Sequence, residues 1–250
     1  MRIAERFLNW LLKGGPENRA VADLKKAVTM ETADLKFIHI GKCGGASLWK
    51  TIQQCEFIGA RFPSIERVHV RRPKYSSTAN YTIVVRNPLS RAISAFNWRY
   101  KLVVEDAVQK TRFQGEHEIL TKYCTLNRLA EKLYGDSGLD PKVAAEFRTI
   151  HHLKEDIAFY LNDLLEKLQP EPVQFVLTQE FLNQDISRFL HVENAAFVHQ
   201  HRTNTEAEKL HLSSTARKNL HEFLEADYKA IHRLNQLFPL GKEKMDVLTA

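Results

Sequence analysis

Leu35-Lys36-Phe37-Ile38-His39-Ile40-Gly41-Lys42-Cys43-Gly44-Gly45-Ala46-Ser47-Leu48 is the stretch on which the fold turns. Its first six residues form a short, mostly apolar run, suited to a buried strand. The glycines end that run, and Ala46 to Gln54 then has helical character. A strand, a glycine-rich loop and a helix in that order make an anion cradle. Backbone N–H groups converge in the loop, the helix N-terminus adds partial positive charge, and Lys42 adds a full one. Gly44 and Gly45 carry no side chain to keep a phosphate away. The order is not that of the NTPase loop GxxxxGK[ST], in which the lysine follows the glycines. Here Lys42 precedes them, and Ala46-Ser47 stands where GK[ST] is required.

Downstream, Arg67-Val68-His69-Val70 and Tyr81-Thr82-Ile83-Val84-Val85 read as strands, the latter apolar enough for the centre of a parallel sheet. It runs into Arg86-Asn87-Pro88, where Asn87 suits a helix cap and Pro88 a first helical turn. That helix is predicted to pass Ser94 and Trp98 and reach about Val104. Residues 116–168 read as mostly helical, broken around Asp136, Gly138 and Pro141. Val173 to Leu177 is a further strand, followed by a helix from about Gln179 to Leu190. One long helix, capped by Ser213 or Ser214, is expected to run to Leu237. Strands alternating with helices predict an α/β three-layer sandwich: a central, mostly parallel sheet with helices on both faces. The whole of 1–250 is expected to be one domain.

Upstream, Ile3, Phe7, Trp10 and Leu11 fall at helical spacing, so 1–13 reads as an amphipathic helix and 14–34 as a linker. That helix packs on the domain or makes a peripheral membrane contact. No run approaches the length of a membrane span, and no cleavable leader is evident. Cys43, Cys55 and Cys124, an odd and sparse set without CxxC spacing, argue against a disulfide framework or a zinc site. A cytoplasmic protein is therefore expected. The 250 residues carry a net charge of +6, which suits anionic ligands. Nucleic acid is not expected, because acids interrupt the basic residues.

Arg86 stands at the carboxyl end of a strand, where open α/β sheets bind ligands, and Ser94 lies two turns into the next helix. A guanidinium fork and a hydroxyl make a second anion site. Two such sites suit a nucleotide phosphorylated at both its 5′ and 3′ ends. With both motifs in view, the chain resembles the sulfotransferases that use 3′-phosphoadenylyl sulfate (PAPS), the carbohydrate type in particular. Residues 40–48 resemble that family's 5′-phosphosulfate loop, PK(T/S)GGTS, and 86–96 its 3′-phosphate motif, RxPxxRxxSxY. Gly41, Cys43 and Ala46 depart from the loop pattern.

The resemblance implies a P-loop-NTPase-like sulfotransferase fold. It implies PAPS as co-substrate, released as adenosine 3′,5′-bisphosphate (PAP), and no metal. Lys42, Cys43, Gly44, Gly45, Ala46, Ser47 and Leu48 would hold the 5′ end, and Arg86 and Ser94 the 3′-phosphate. Sulfuryl transfer to an acceptor hydroxyl needs positioning and charge stabilisation, for which Lys42 is placed, and a base. His69 is the choice for the base, with His151 and His152 as competitors. The acceptor expected is a carbohydrate or another hydroxyl-bearing molecule. The run Arg71, Arg72, Lys74 either greets an acidic acceptor or is a solvated loop. Cys43 also stands as a candidate reactive thiol. His199-x-His201 lacks further metal ligands at useful spacing, and Arg202 is a candidate nucleotide contact. The rival readings are a nucleotide-dependent kinase and a non-catalytic nucleotide- or glycan-binding protein.

Overall fold

The computed structural model describes residues 34–190 and 207–250. The expected helix at 1–13, the expected linker at 14–34 except its last residue, and His199, His201 and Arg202 lie outside them. The described chain runs β1 (Leu35–His39), α1 (Gly45–Gln54), α2 (Glu56–Arg61), β2 (Ile65–Val68), β3 (Asn80–Val85) and α3 (Pro88–Tyr100), which a π-helical turn, Lys101–Glu105, extends. Next come α4 (Glu116–Tyr123), α5 (Leu126–Glu131), a two-stranded ribbon of β4 (Tyr134–Gly135) and β5 (Gly138–Leu139), α6 (Pro141–Thr149) and α7 (Ile157–Leu165). Then follow β6 (Val173–Thr178), a 3₁₀ turn at Gln179–Phe181, α8 (Leu182–Leu190), α9 (Ala207–Leu210), α10 (Ser214–Phe223), α11 (Glu225–Leu237) and α12 (Lys242–Leu248).

Four parallel strands form the sheet, in the order β2-β1-β3-β6, with His39 level with Val84. The chain leaves β1 for β2 on one side, then returns past β1 to β3 on the other. Crossovers in opposite directions part the loops after β1 and β3, and a crevice opens at their carboxyl ends. Both motif loops emerge there. Every residue of β3 beyond Asn80 is buried, as a sheet covered by helices requires.

Two apolar cores divide the helices. Phe37, Ile83, Val84, Leu161 and Ile231 belong to the one around the sheet. Phe96, Leu129, Phe147 and Leu220 belong to the second, among α3, α5, α6 and α10. Helix α3 starts as expected: Pro88 sits in its first turn and Asn87 Oδ1 accepts the Ser90 N–H at 2.9 Å. Burial of Ala92, Ala95 and Phe96 in the helical core fixes its rotation. Ser94 and Trp98, four residues apart, share another face.

The expected helix from Ser213 to Leu237 is two helices. Ser213 Oγ does cap the first, accepting the Ala216 N–H at 3.1 Å. The break falls at Leu224, whose φ of −95° and ψ of 16° leave the helical region. Helix α10 serves the helical core through Leu220, and α11 gives Tyr228 to that core and Ile231 and Leu234 to the sheet core. The second strand is Ile65–Val68 rather than Arg67–Val70, so His69 stands just past its end. Among the described residues, no helix is long and apolar enough to cross a membrane.

Candidate functional site

A cleft of about 700 Å³ opens at the carboxyl ends of β1 and β3, within the size range of small-ligand sites. Lys42, Gly44, Gly45, Ala46 and Ser47 line it from the first loop, and Arg86 and Ser94 from the second. His69 lines it as well. Cys43 and Leu48 do not. Both side chains are fully buried in the sheet core, and only their backbone belongs to the loop. Burial also pushes the Cys43 thiol up to about 12, so the reactive-thiol reading fails: thiolate is scarce at neutral pH.

The loop is held open by its neighbours. Lys42 adopts a left-handed backbone, φ 70°, and Gly44 another, φ 79°. Arg86 Nη1 donates to the Lys42 carbonyl at 3.1 Å, which ties the two motifs together. Arg91, fully buried on α3, donates through Nη1 to the carbonyls of His152 at 2.8 Å, Glu155 at 3.3 Å and Gly41 at 3.4 Å. One guanidinium thus staples the phosphate-type loop to the turn at 151–155. The glycines answer to sterics as well as to an anion. A Cβ on Gly45 would lie 2.0 Å from His39 Cδ2, and one on Gly41 would lie 2.5 Å from His152 Nδ1.

Electrostatically the cleft is cationic at one side. Burial and the neighbouring Arg86 lower Lys42 from its usual value to about 8. Its ammonium sits 4.5 Å above the Trp98 ring. Burial lowers Arg86 too, and Glu180 faces it, with its Oε1 4.0 Å from Arg86 Nε. That carboxylate also accepts the Asn87 N–H at 3.0 Å, which keeps it at the base of α3.

Three imidazoles line the same cleft. His39 and His69 stack with centroids 4.1 Å apart, and His152 lies 5.8 Å from His69. His69 Nδ1 donates to the His39 carbonyl at 2.9 Å, since a carbonyl only accepts. In neutral His69, Nε2 therefore carries the lone pair. Burial holds His69 below its ordinary value, lowers His39 to about 3 and lowers His152 to about 2. All three are neutral at pH 7. His151 does not line the cleft. It packs on Phe113, with Nδ1 3.2 Å from Glu155 Oε2. Its backbone N–H reaches Glu116 at 2.8 Å, and Glu116 is gripped by Arg99 through bonds of 2.9 and 2.6 Å.

His151, His152 and Glu155 bring three ligand-type atoms within 4.8 Å of one another. Glu155 Oε2, however, already accepts from the His152 N–H at 2.9 Å and pairs with His151. Lys42 and Arg91 add positive charge at His152. The trio is a carboxylate that orients an imidazole rather than a cation cage. In the basic run beside His69, Arg71 pairs with Glu66 at 2.6 Å and Arg72 with Asp163 at 2.7 Å. Exposed pairs of this kind hold a loop only weakly.

Sequence reasoning missed Trp98, His39 and Arg91 as parts of the site. The first was visible as the residue four after Ser94. Arg91 stood as the second arginine of the motif at 86–96, and His39 had no signal of its own. In comparisons with known proteins, the chain matches no family model, no curated protein and no solved structure.

Proposed function

We propose that the protein is a sulfotransferase of the P-loop-like fold, which moves the sulfuryl group of PAPS to an acceptor hydroxyl, a carbohydrate's in the first instance. One observation carries the reading. Lys42 and the glycines of the first motif, and Arg86 and Ser94 of the second, about forty residues later, line one cleft together with a histidine whose pKa burial lowers. In this account the loop at 42–47 takes the 5′-phosphosulfate, and Arg86 with Ser94 takes the 3′-phosphate. The sparse cysteines support a cytoplasmic setting.

The chemistry follows from the geometry. His69 Nε2 removes the acceptor's proton as its oxygen attacks sulfur. The new O–S bond forms while the bond from sulfur to the bridging oxygen breaks, and that electron pair stays on the 5′-phosphate of PAP. Lys42 stabilises the charge on the bridging oxygen. Helix α1 and the loop amides hold the phosphate. His69 is preferred over its competitors for two reasons. His151 lies outside the cleft, and His152, lowered to about 2, is too weak a base.

The reading is tested by incubating the protein with PAPS and a panel of sugars, and following sulfate transfer and PAP release. Transfer that depends on Lys42 and His69 supports it. Tight, Mg²⁺-dependent ATP binding without affinity for PAP overturns it in favour of a kinase.

A further inference from the structure

Lys42 is largely buried, and no described carboxylate forms an ion pair with it. Its ammonium rests instead on the face of Trp98, 4.5 Å from the ring centroid. This choice of partner matters. A carboxylate would cancel the lysine's charge and repel an incoming phosphate. An aromatic face attracts the ammonium through its quadrupole and leaves the net charge at +1.

The rest of the fold makes that contact a fixed one. The Lys42 backbone is left-handed, with its carbonyl pinned by Arg86 Nη1 at 3.1 Å, so the direction in which the side chain leaves is set. Trp98 comes from α3, whose rotation is locked by Ala95 and Phe96 in the helical core. Trp98 lines the cleft beside Ser94, one turn away on the same helix. The second motif thus reaches the first at two points: Arg86 holds the lysine's main chain, and Trp98 holds its charge.

From this we infer that Trp98 is a positioning residue for Lys42, keeping the ammonium aimed at the 5′ end of the bound nucleotide. The inference rests on the function proposed above for the identity of the nucleotide, and on the contact alone for the role. Trp98 touches no reacting atom. It acts by setting where one positive charge waits.

The test uses the full chain, wild type and the variants Trp98→Leu, Trp98→Phe and Lys42→Ala, with PAP and 3′-AMP as paired probes in calorimetry. Only PAP carries the 5′-phosphate that Lys42 would meet. The expected result is a loss of about tenfold in PAP affinity for Trp98→Leu, with 3′-AMP within about twofold of wild type. Trp98→Phe, which keeps an aromatic face, restores most of the loss, and Trp98→Leu adds little in the Lys42→Ala background. Unchanged PAP affinity in Trp98→Leu overturns the inference, and so does an equal loss for both nucleotides, which marks mere structural damage. If wild type binds neither nucleotide, the sulfotransferase reading fails and the contact is judged by NMR. Lys42 ε-protons shifted upfield by the indole, and released in Trp98→Leu, then sustain the positioning role. Unshifted protons in wild type overturn it.

Discussion

His152 occupies the space that a side chain on Gly41 would need: a Cβ there would lie 2.5 Å from His152 Nδ1. The family pattern that the loop resembles has proline at this position, and this chain has glycine. An imidazole from a turn over a hundred residues later fills the space beside this glycine. His152 is itself held in a left-handed backbone, φ 68°, with its carbonyl on Arg91. Gly41→Ala is expected to cost about 1–3 kcal/mol through overpacking. The same change in a His152→Ala background costs much less. Urea denaturation of the four proteins measures the coupling, and purely additive losses would show that the two residues do not compete for space.

In the proposed reaction, His69 is expected to set the acid side of the pH profile. Burial holds its pKa below the ordinary 6.5, so the neutral, proton-accepting form persists into mildly acid solution. Sulfate transfer is expected to hold at neutral pH and to fall only below the ordinary imidazole range, as His69 takes up a proton at Nε2. His69→Ala is expected to lower kcat by about 10²–10⁴-fold and to leave PAP affinity near wild type. Parallel kinetics and calorimetry read the two effects. Transfer at the wild-type rate in this variant removes His69 from the role of base.

Lys42 sets the alkaline side. Its pKa of about 8 is depressed because burial and Arg86 oppose the charged form. A bound 5′-phosphate favours that form, so binding takes up a proton once the pH passes 8. PAP affinity should therefore hold steady below pH 8 and weaken as the pH rises above it. Calorimetry in buffers of different ionisation enthalpy detects the proton directly. A flat affinity from pH 7 to 10 contradicts this placement of Lys42.

Glu116 carries a further prediction. It forms a two-pronged pair with Arg99, both side chains at most 2% exposed, and accepts the His151 N–H. Glu116→Gln leaves Arg99 buried without its counter-charge, at a cost of about 3–5 kcal/mol. Thermal unfolding measures the cost. A change below 1 kcal/mol would mean that water reaches the arginine.

Much of this architecture was legible in the chain because local signals agreed with each other. The strand at Leu35, the loop at Gly41 and the cap at Asn87 each announce themselves within about ten residues. Ser94 could be placed once α3 had a start. What stayed hidden depends on partners far along the chain. Nothing near Gly41 says that His152 presses against it, and nothing near Arg72 says that Asp163 pairs with it. The Gly44-Gly45 pair was read as clearance for an anion, whereas Gly45 also makes room for an imidazole. The break at Leu224 was invisible because both helices keep good helical spacing.

The central claim is that the two motifs form one site for a nucleotide bearing phosphates at both ends. Calorimetric titration of the full chain with PAP, beside Arg86→Ala and Ser94→Ala, tests it most directly. The account predicts one PAP bound per chain without metal, with affinity lost by about tenfold or more in Arg86→Ala and less in Ser94→Ala. No binding of PAP by the wild-type chain, or binding indifferent to Arg86, would contradict it.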